Sequence, residues 1–275
     1  MRRLASFLLV ALAVLAALSA TTANAATTVP LPNSMASTGD SITRAYDSTS
    51  NGCFLSDCPQ YSWSTGTDAT VKSQYQRILA ANSAISGHVY NDAKTGAQMV
   101  ALDGQLTTAA SQAVQYATVL MGANDVCTSS IATMTPTATF QSEFQTALTD
   151  FFNADPTAHV FVSSIPNIYQ LWSLEHTNST ATFEWQSFKI CQSMLASSNT
   201  EAQRQTVVAQ EQADNNALAS VCAQFANCKW DNLATYNYSF KTSDVSTIDY
   251  FHPSISGHNS LAGITWGASY WPTTA

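Results

Sequence analysis

Along the chain, short apolar runs bounded by turn residues alternate with longer stretches whose apolar positions recur at helical spacing. The runs at 35–38, 88–93, 117–121, 159–165 and 229–233 predict strands; 117–121, apolar apart from Thr118, predicts a buried one. The stretches 71–81, 102–115, 142–153, 201–225 and 256–270 predict helices, and Phe144, Leu148, Phe151 and Phe152 fall at helical spacing in the third. Strand–helix alternation predicts an α/β fold, a three-layer α/β/α sandwich around a parallel sheet of about five strands. Crossovers in such a sheet are right-handed, and ligands sit beyond the carboxyl ends of the strands. Ser41, the loop at Gly96, Asn124 and the segment after Ile165 all follow strand candidates, so they are expected to converge on one edge. With no internal repeat and no low-complexity linker, residues 26–275 are expected to form one domain.

The amino terminus changes the expected compartment. Met1-Arg2-Arg3, an apolar run over 4–17 and an Ala-Asn-Ala ending at Ala25 predict a secretory signal peptide over residues 1–25. The run is short for a membrane anchor, and no later segment is apolar enough to span, so stable membrane insertion is not expected. Ten Lys and Arg against eighteen Asp and Glu give a net charge of −8. Such a chain is poorly suited to nucleic acid, whose binding rests on phosphate neutralisation, or to electrostatic docking on an anionic membrane.

Six cysteines in a secreted chain predict disulfides. The sequence alone leaves several pairings open, and local spacing favours Cys53 with Cys58 and Cys222 with Cys228, leaving Cys127 with Cys191. No Cys-x-x-Cys pair or suitably spaced histidine supports zinc as the rival reading.

The candidate chemistry lies in four separated segments. They are Gly39-Asp40-Ser41, the block from Asn91 to Ala97, Gly122-Ala123-Asn124-Asp125, and Asp249-Tyr250-Phe251-His252-Pro253. A serine hydroxyl becomes a nucleophile when a base takes its proton and a third group orients that base. Ser41 supplies the hydroxyl, while Asp249 and His252 supply a carboxylate and an imidazole. In this order the four segments resemble the sequence blocks of the SGNH hydrolases, the GDSL esterase/lipase family, and look most like its secreted actinobacterial members.

That resemblance implies a flavodoxin-like sandwich with Ser41 as nucleophile, His252 as general base and Asp249 orienting the imidazole. It also implies an oxyanion hole made of the Ser41 and Gly96 backbone N–H groups and the Asn124 side chain. Some relatives assign the acid's role to a main-chain carbonyl, and Asp40 reads as a support for the turn. The implied activity is hydrolysis of a carboxylic ester by a monomeric secreted enzyme without cofactor or metal. Within the family the alternative is a carbohydrate acetylesterase; outside it, a non-catalytic glycan- or surface-binding protein on the same scaffold.

Each residue also has an ordinary structural role available. Ser41 and Asp249 could cap helices, Asn124 could satisfy loop backbone, and Gly96 could supply a positive φ. His88, His159 and His176 have no motif context. His252 and His258 lack the spacing of a helical metal pair, and the G-x-S-x-G elbow of α/β-hydrolases is absent. The aromatics of 168–188, among them Trp172, Phe183, Trp185 and Phe188, could line an acyl or glycan pocket or pack that segment onto the domain.

Overall fold

The computed structural model describes residues 29–274, so the predicted signal peptide lies outside the described residues. Five parallel strands form the central sheet: β1 (Met35–Gly39), β2 (Val89–Asn91), β3 (Tyr116–Leu120), β4 (His159–Val162) and β5 (Cys228–Trp230). Their spatial order is β2-β1-β3-β4-β5. This is the doubly wound arrangement, in which strand order reverses between β1 and β3.

Handedness then assigns the helices to faces. The β1-to-β2 connection runs toward one edge of the sheet, and every later crossover runs toward the other. Right-handed crossovers therefore place α1 (Gln74–Ala81) on one face. They place α2 (Leu102–Ser111), α4 (Thr137–Ala154) and α8 (Glu201–Cys222) on the opposite face. Consistently, α4 packs against both α2 and α8, while the last helix, α9 (Ile255–Ala268), packs against α1. The result is a three-layer α/β/α sandwich, as the alternation predicts.

Every residue of β1 and β3 is buried, whereas the edge strands β2 and β5 are only half-buried. Phe140, Phe144 and Phe151 of α4 are wholly buried, which explains the helical spacing of these apolar positions. Boundaries differ from the sequence reading where local chemistry intervenes. The predicted helix at 71–81 starts later because Ser73 caps it, its side chain accepting from the Gln76 N–H at 3.1 Å. The helix predicted over 102–115 ends at Ser111, before Ala113 takes a left-handed φ of +54° and leads into β3.

Short helices fill the long connections: α3 (Ala123–Val126) after β3, and α5 (Ile168–Glu175), α6 (Ser179–Ser187) and α7 (Gln192–Leu195) between β4 and α8. The disulfides join Cys53 to Cys58, Cys127 to Cys191 and Cys222 to Cys228, the pairing that spacing favours. Cys127–Cys191 spans 64 residues. By chain entropy a loop of that length is worth about 4 kcal/mol, roughly twice either short bridge. That long bridge fastens the segment before α7 to the end of α3.

Candidate active site

The carboxyl ends of β1 and β3, at the reversal of strand order, lead into Ser41 and Asn124. Strand β1 ends at Gly39, with φ of +142°, where a Cβ would stand 2.3 Å from the Leu120 carbonyl oxygen. Only glycine fits so close an approach. Gln105 of α2 braces the same residue, its amide accepting from the Gly39 N–H at 2.7 Å and donating to the Gly39 carbonyl at 2.9 Å. Nothing in the local sequence pattern announces Gln105, which acts on a residue 66 positions away.

Beyond Gly39 the chain makes consecutive turns through Asp47. Ala45 and Asp47 adopt left-handed φ values of +51° and +53°, which an α-helix does not accommodate. Asp40 is fully buried and supports this turn: its Oδ1 accepts from the Ile42 N–H at 2.8 Å. Burial pushes its carboxyl up to about 6, against the smaller opposing effects of that hydrogen bond and of His252. Ser41 is thereby presented with its side chain toward the carboxyl-end loops rather than as a helix cap.

The loop before α9 supplies the partners. Tyr250 takes a left-handed φ of +53°, so the chain folds back on Asp249. Asp249 Oδ1 accepts from the backbone N–H groups of Phe251 at 2.9 Å and His252 at 3.0 Å. Its Oδ2 bonds the Nδ1 of His252. On its other side His252 places Nε2 2.7 Å from Ser41 Oγ, a contact between residues 211 positions apart. The ring of Tyr46 lies 5.1 Å away, centroid to centroid, and flanks the imidazole.

Electrostatics follow from this packing. Burial alone would lower the His252 pKa, but the Asp249 carboxylate, helped by Asp40 and Asp47, more than offsets it and holds the imidazole above its ordinary range. Burial raises Asp249, yet the charge of His252 and the hydrogen bonds it accepts bring it below the usual carboxylate range. Asp47, which the sequence reading passes over, lines the same cleft; burial and the nearby Asp249 charge push it up to about 6. Its main-chain carbonyl accepts from Ser246 Oγ at 2.5 Å, which ties the Ser41 turn to the loop carrying His252.

Gly96 and Asn124 come from different loops and meet at the same edge. The Asn124 side chain donates to the Ala97 carbonyl at 2.9 Å, and the main-chain carbonyl of Asn124 accepts from Gln98 Nε2 at 3.1 Å. Asp125 Oδ2 accepts from the Met99 N–H at 3.0 Å. The second amide hydrogen of Asn124 is left over by these bonds. Gly96 has φ of +79° and open space where a Cβ would stand. Among the described residues, neither the Ser41 nor the Gly96 N–H donates a hydrogen bond within the protein.

Ser41, Gly96, Asn124, Asp249 and His252 all line one cleft of about 560 Å³. The aromatics of 168–188 divide between both roles open to them. Trp185 is wholly buried and donates to the Tyr250 carbonyl at 3.0 Å, bracing the His252 loop from α6. Phe183 and Phe188 line the cleft and stand exposed, as do Phe54 and Leu55 of the small disulfide loop. A second, smaller apolar cavity of about 70 Å³ lies between Ile42, Leu171, Leu174 and Phe240 and also touches His252. His258 sits fully buried in α9, where burial depresses its imidazole to about 3. Among the described residues no group of three or more His, Cys, Asp or Glu is arranged to hold a metal ion.

The sequence profile of the GDSL-like lipase/acylhydrolase family matches residues 38–259. Similar solved structures are distant in sequence. A Parabacteroides merdae protein described as a GDSL-like lipase is 12% identical with a TM-score of 0.53, covering 85% of this chain and 94% of that one. An extracellular lipase from Streptomyces rimosus is 17% identical with a TM-score of 0.46, covering 86% and 99%. A Clostridium thermocellum family 3 carbohydrate esterase is 12% identical with a TM-score of 0.46, covering 86% and 94%. Comparison with curated protein sequences finds no match. With a profile match from the end of the first strand into the last helix, the chain belongs to the GDSL-like lipase/acylhydrolase family.

Proposed function

We propose that the protein is a secreted serine esterase or lipase that hydrolyses carboxylic esters through an acyl-enzyme on Ser41. The observation that carries this reading is the relay from Ser41 Oγ to His252 Nε2 at 2.7 Å and from His252 Nδ1 to Asp249. Ser41 Oγ attacks the ester carbonyl carbon as its proton passes to Nε2. Asp249, held by two backbone N–H groups, stabilises the imidazolium that forms. Negative charge gathers on the carbonyl oxygen, where the free N–H groups of Ser41 and Gly96 and the Asn124 amide would receive it. Collapse breaks the ester C–O bond, and His252 returns the proton to the departing alcohol. Water then repeats the sequence on the acyl-enzyme, releasing the acid and restoring the Ser41 hydroxyl.

Residues 1–25 read as a cleavable signal, and the disulfides fit an oxidising compartment. Exposed phenyl rings at the cleft rim favour aliphatic or lipid esters over glycan acetates. A panel from acetyl to long acyl esters, with acetylated xylan alongside, tests this choice. Butyryl and longer esters are expected to turn over at least as well as acetyl. A sharp preference for acetyl, with release of acetate from the glycan, would establish the acetylesterase reading instead. Failure of a fluorophosphonate to label the protein at Ser41 would remove the enzymatic reading altogether.

The pH profile has a definite sign. His252 acts as base only when neutral, and its environment holds its pKa above the ordinary imidazole value of 6.5. Activity is therefore lost as pH falls through a midpoint above 6.5, and it levels off on the alkaline side. Asp47 is one of the carboxylates raising His252, so Asp47→Asn is expected to move the acid limb to lower pH. Profiles of kcat/KM for the two proteins check both statements. An unmoved limb would show that Asp47 does not act on His252.

A further inference from the structure

We propose that the rim of the cleft is a fixed docking surface for a net-neutral, zwitterionic lipid aggregate, such as a phosphatidylcholine bilayer or micelle. The proposal rests on the esterase reading for its purpose, since docking would bring an ester in the aggregate to Ser41. Among the described residues, the large apolar side chains that stand exposed are Phe54, Leu55, Val100, Phe183 and Phe188, at 55–65%. All but Val100 line the mouth of the cleft that holds Ser41. Scattered single exposures are ordinary on a protein surface, but apolar groups gathered at one opening mark a place where something apolar is met.

Both walls are anchored, which distinguishes this rim from a mobile lid. Phe54 and Leu55 lie within the loop closed by Cys53–Cys58. That loop is fastened to Arg44 by the Asp57 ion pair at 2.9 Å, and Asp57 also bonds the Thr95 hydroxyl. Phe183 belongs to α6, which Trp185 ties to the Tyr250 carbonyl, and Phe188 lies just before Cys191, which is bridged to Cys127. Little conformational freedom is then lost when the rim meets a surface, which favours association.

Charge selects the kind of surface. The second wall carries one side chain of each sign, Glu184 and Lys189, beside Phe183 and Phe188. One acidic and one basic group suit the paired phosphate and ammonium of a zwitterionic headgroup. The chain as a whole carries −8, so an anionic surface would repel it.

Vesicle flotation with the Ser41→Ala protein tests docking without hydrolysing the lipid. The protein is expected to float with phosphatidylcholine vesicles and to bind phosphatidylglycerol vesicles more weakly at low salt. Phe183→Ser/Phe188→Ser in that background should weaken partitioning by at least roughly tenfold, because two phenyl rings leave the apolar contact. Val100→Ser, away from the cleft, should leave it unchanged. As a second measurement that keeps the rim apolar, Phe54→Trp should shift its fluorescence to shorter wavelength when phosphatidylcholine vesicles are added.

No flotation, equal flotation after the double substitution, or preference for the anionic vesicles would overturn the proposal. So would retention on acetylated xylan without vesicle binding, which would make the rim a glycan surface. Turnover of a soluble acetyl ester by the unaltered protein reports the esterase reading separately. Turnover without flotation would end the docking proposal alone, and flotation without turnover would end the esterase reading alone.

Discussion

Ser41→Ala is expected to lower kcat for ester hydrolysis by roughly a millionfold, with the fold unchanged. The serine is 5% exposed and its hydroxyl meets only the His252 imidazole among the described hydrogen bonds, so losing the oxygen leaves little packing defect. His252→Ala should fall to a similar rate, and the double variant should be no slower than either single one. Groups that act as one unit lose their function together, so their effects do not add. Asp249→Asn should lose roughly ten-thousandfold by disfavouring the right tautomer of His252. Asn124→Ala should lose on the order of a hundredfold to a thousandfold by removing one donor to the developing oxyanion. Steady-state kinetics on a soluble ester, with circular dichroism as the check on folding, measure all five. Additive losses for Ser41 and His252 would mean that the two do not share one proton path.

The second large effect is on folding. Gly39→Ala is expected to destabilise the protein by on the order of 4 kcal/mol or more, enough to threaten a domain of ordinary stability. Its Cβ would stand 2.3 Å from the Leu120 carbonyl oxygen and 2.7 Å from Thr43 Oγ1, at φ of +142°. Neither side can yield easily. Leu120 is held where β3 pairs with β1, and Gln105 grips the Gly39 peptide from α2. Gly96→Ala supplies the contrast, since nothing lies within 4 Å of its added Cβ. Its positive φ costs only about 1–2 kcal/mol, so that variant should fold while its methyl group crowds the oxyanion site. Thermal melting of both variants decides the matter; a Gly39→Ala protein that melts like the parent would show that the close approach is dispensable.

These two glycines show how far local sequence carries. Gly39 and Gly96 are visible as glycines beside motif residues, but nothing in their neighbourhoods says which one is sterically locked. The distinction lies in Leu120, which β3 brings against Gly39. The turns after Ser41 behave likewise. As sequence, Ser41 after a strand could equally cap a helix, whereas the chain turns through left-handed residues at Ala45 and Asp47. The turn is stabilised from outside, through the Ser246–Asp47 hydrogen bond between segments 199 positions apart. The aromatics of 168–188 are legible as important, yet their shared aromatic character conceals opposite roles: Trp185 is buried and Phe183 exposed.

By itself the sequence determined the five strands, the five helices that flank them and the inventory of reactive groups, but not the short helices α3 and α5 to α7. Apolar periodicity is a local property, because a strand or helix must present its apolar face somewhere whatever its neighbours are. The alternation of these elements carries the α/β class, and the order of the four motif segments carries the family resemblance. Only the tertiary structure decided the strand order that opens a crevice between β1 and β3, the bracing of Gly39 by Gln105, and the meeting of Ser41 with His252 across 211 residues. It alone gathered Phe54, Leu55, Phe183 and Phe188 around one opening. The physical reason is common to all of these. Each depends on contacts between distant segments, whose geometry is set by right-handed crossovers and core packing rather than by the residues adjacent in the chain.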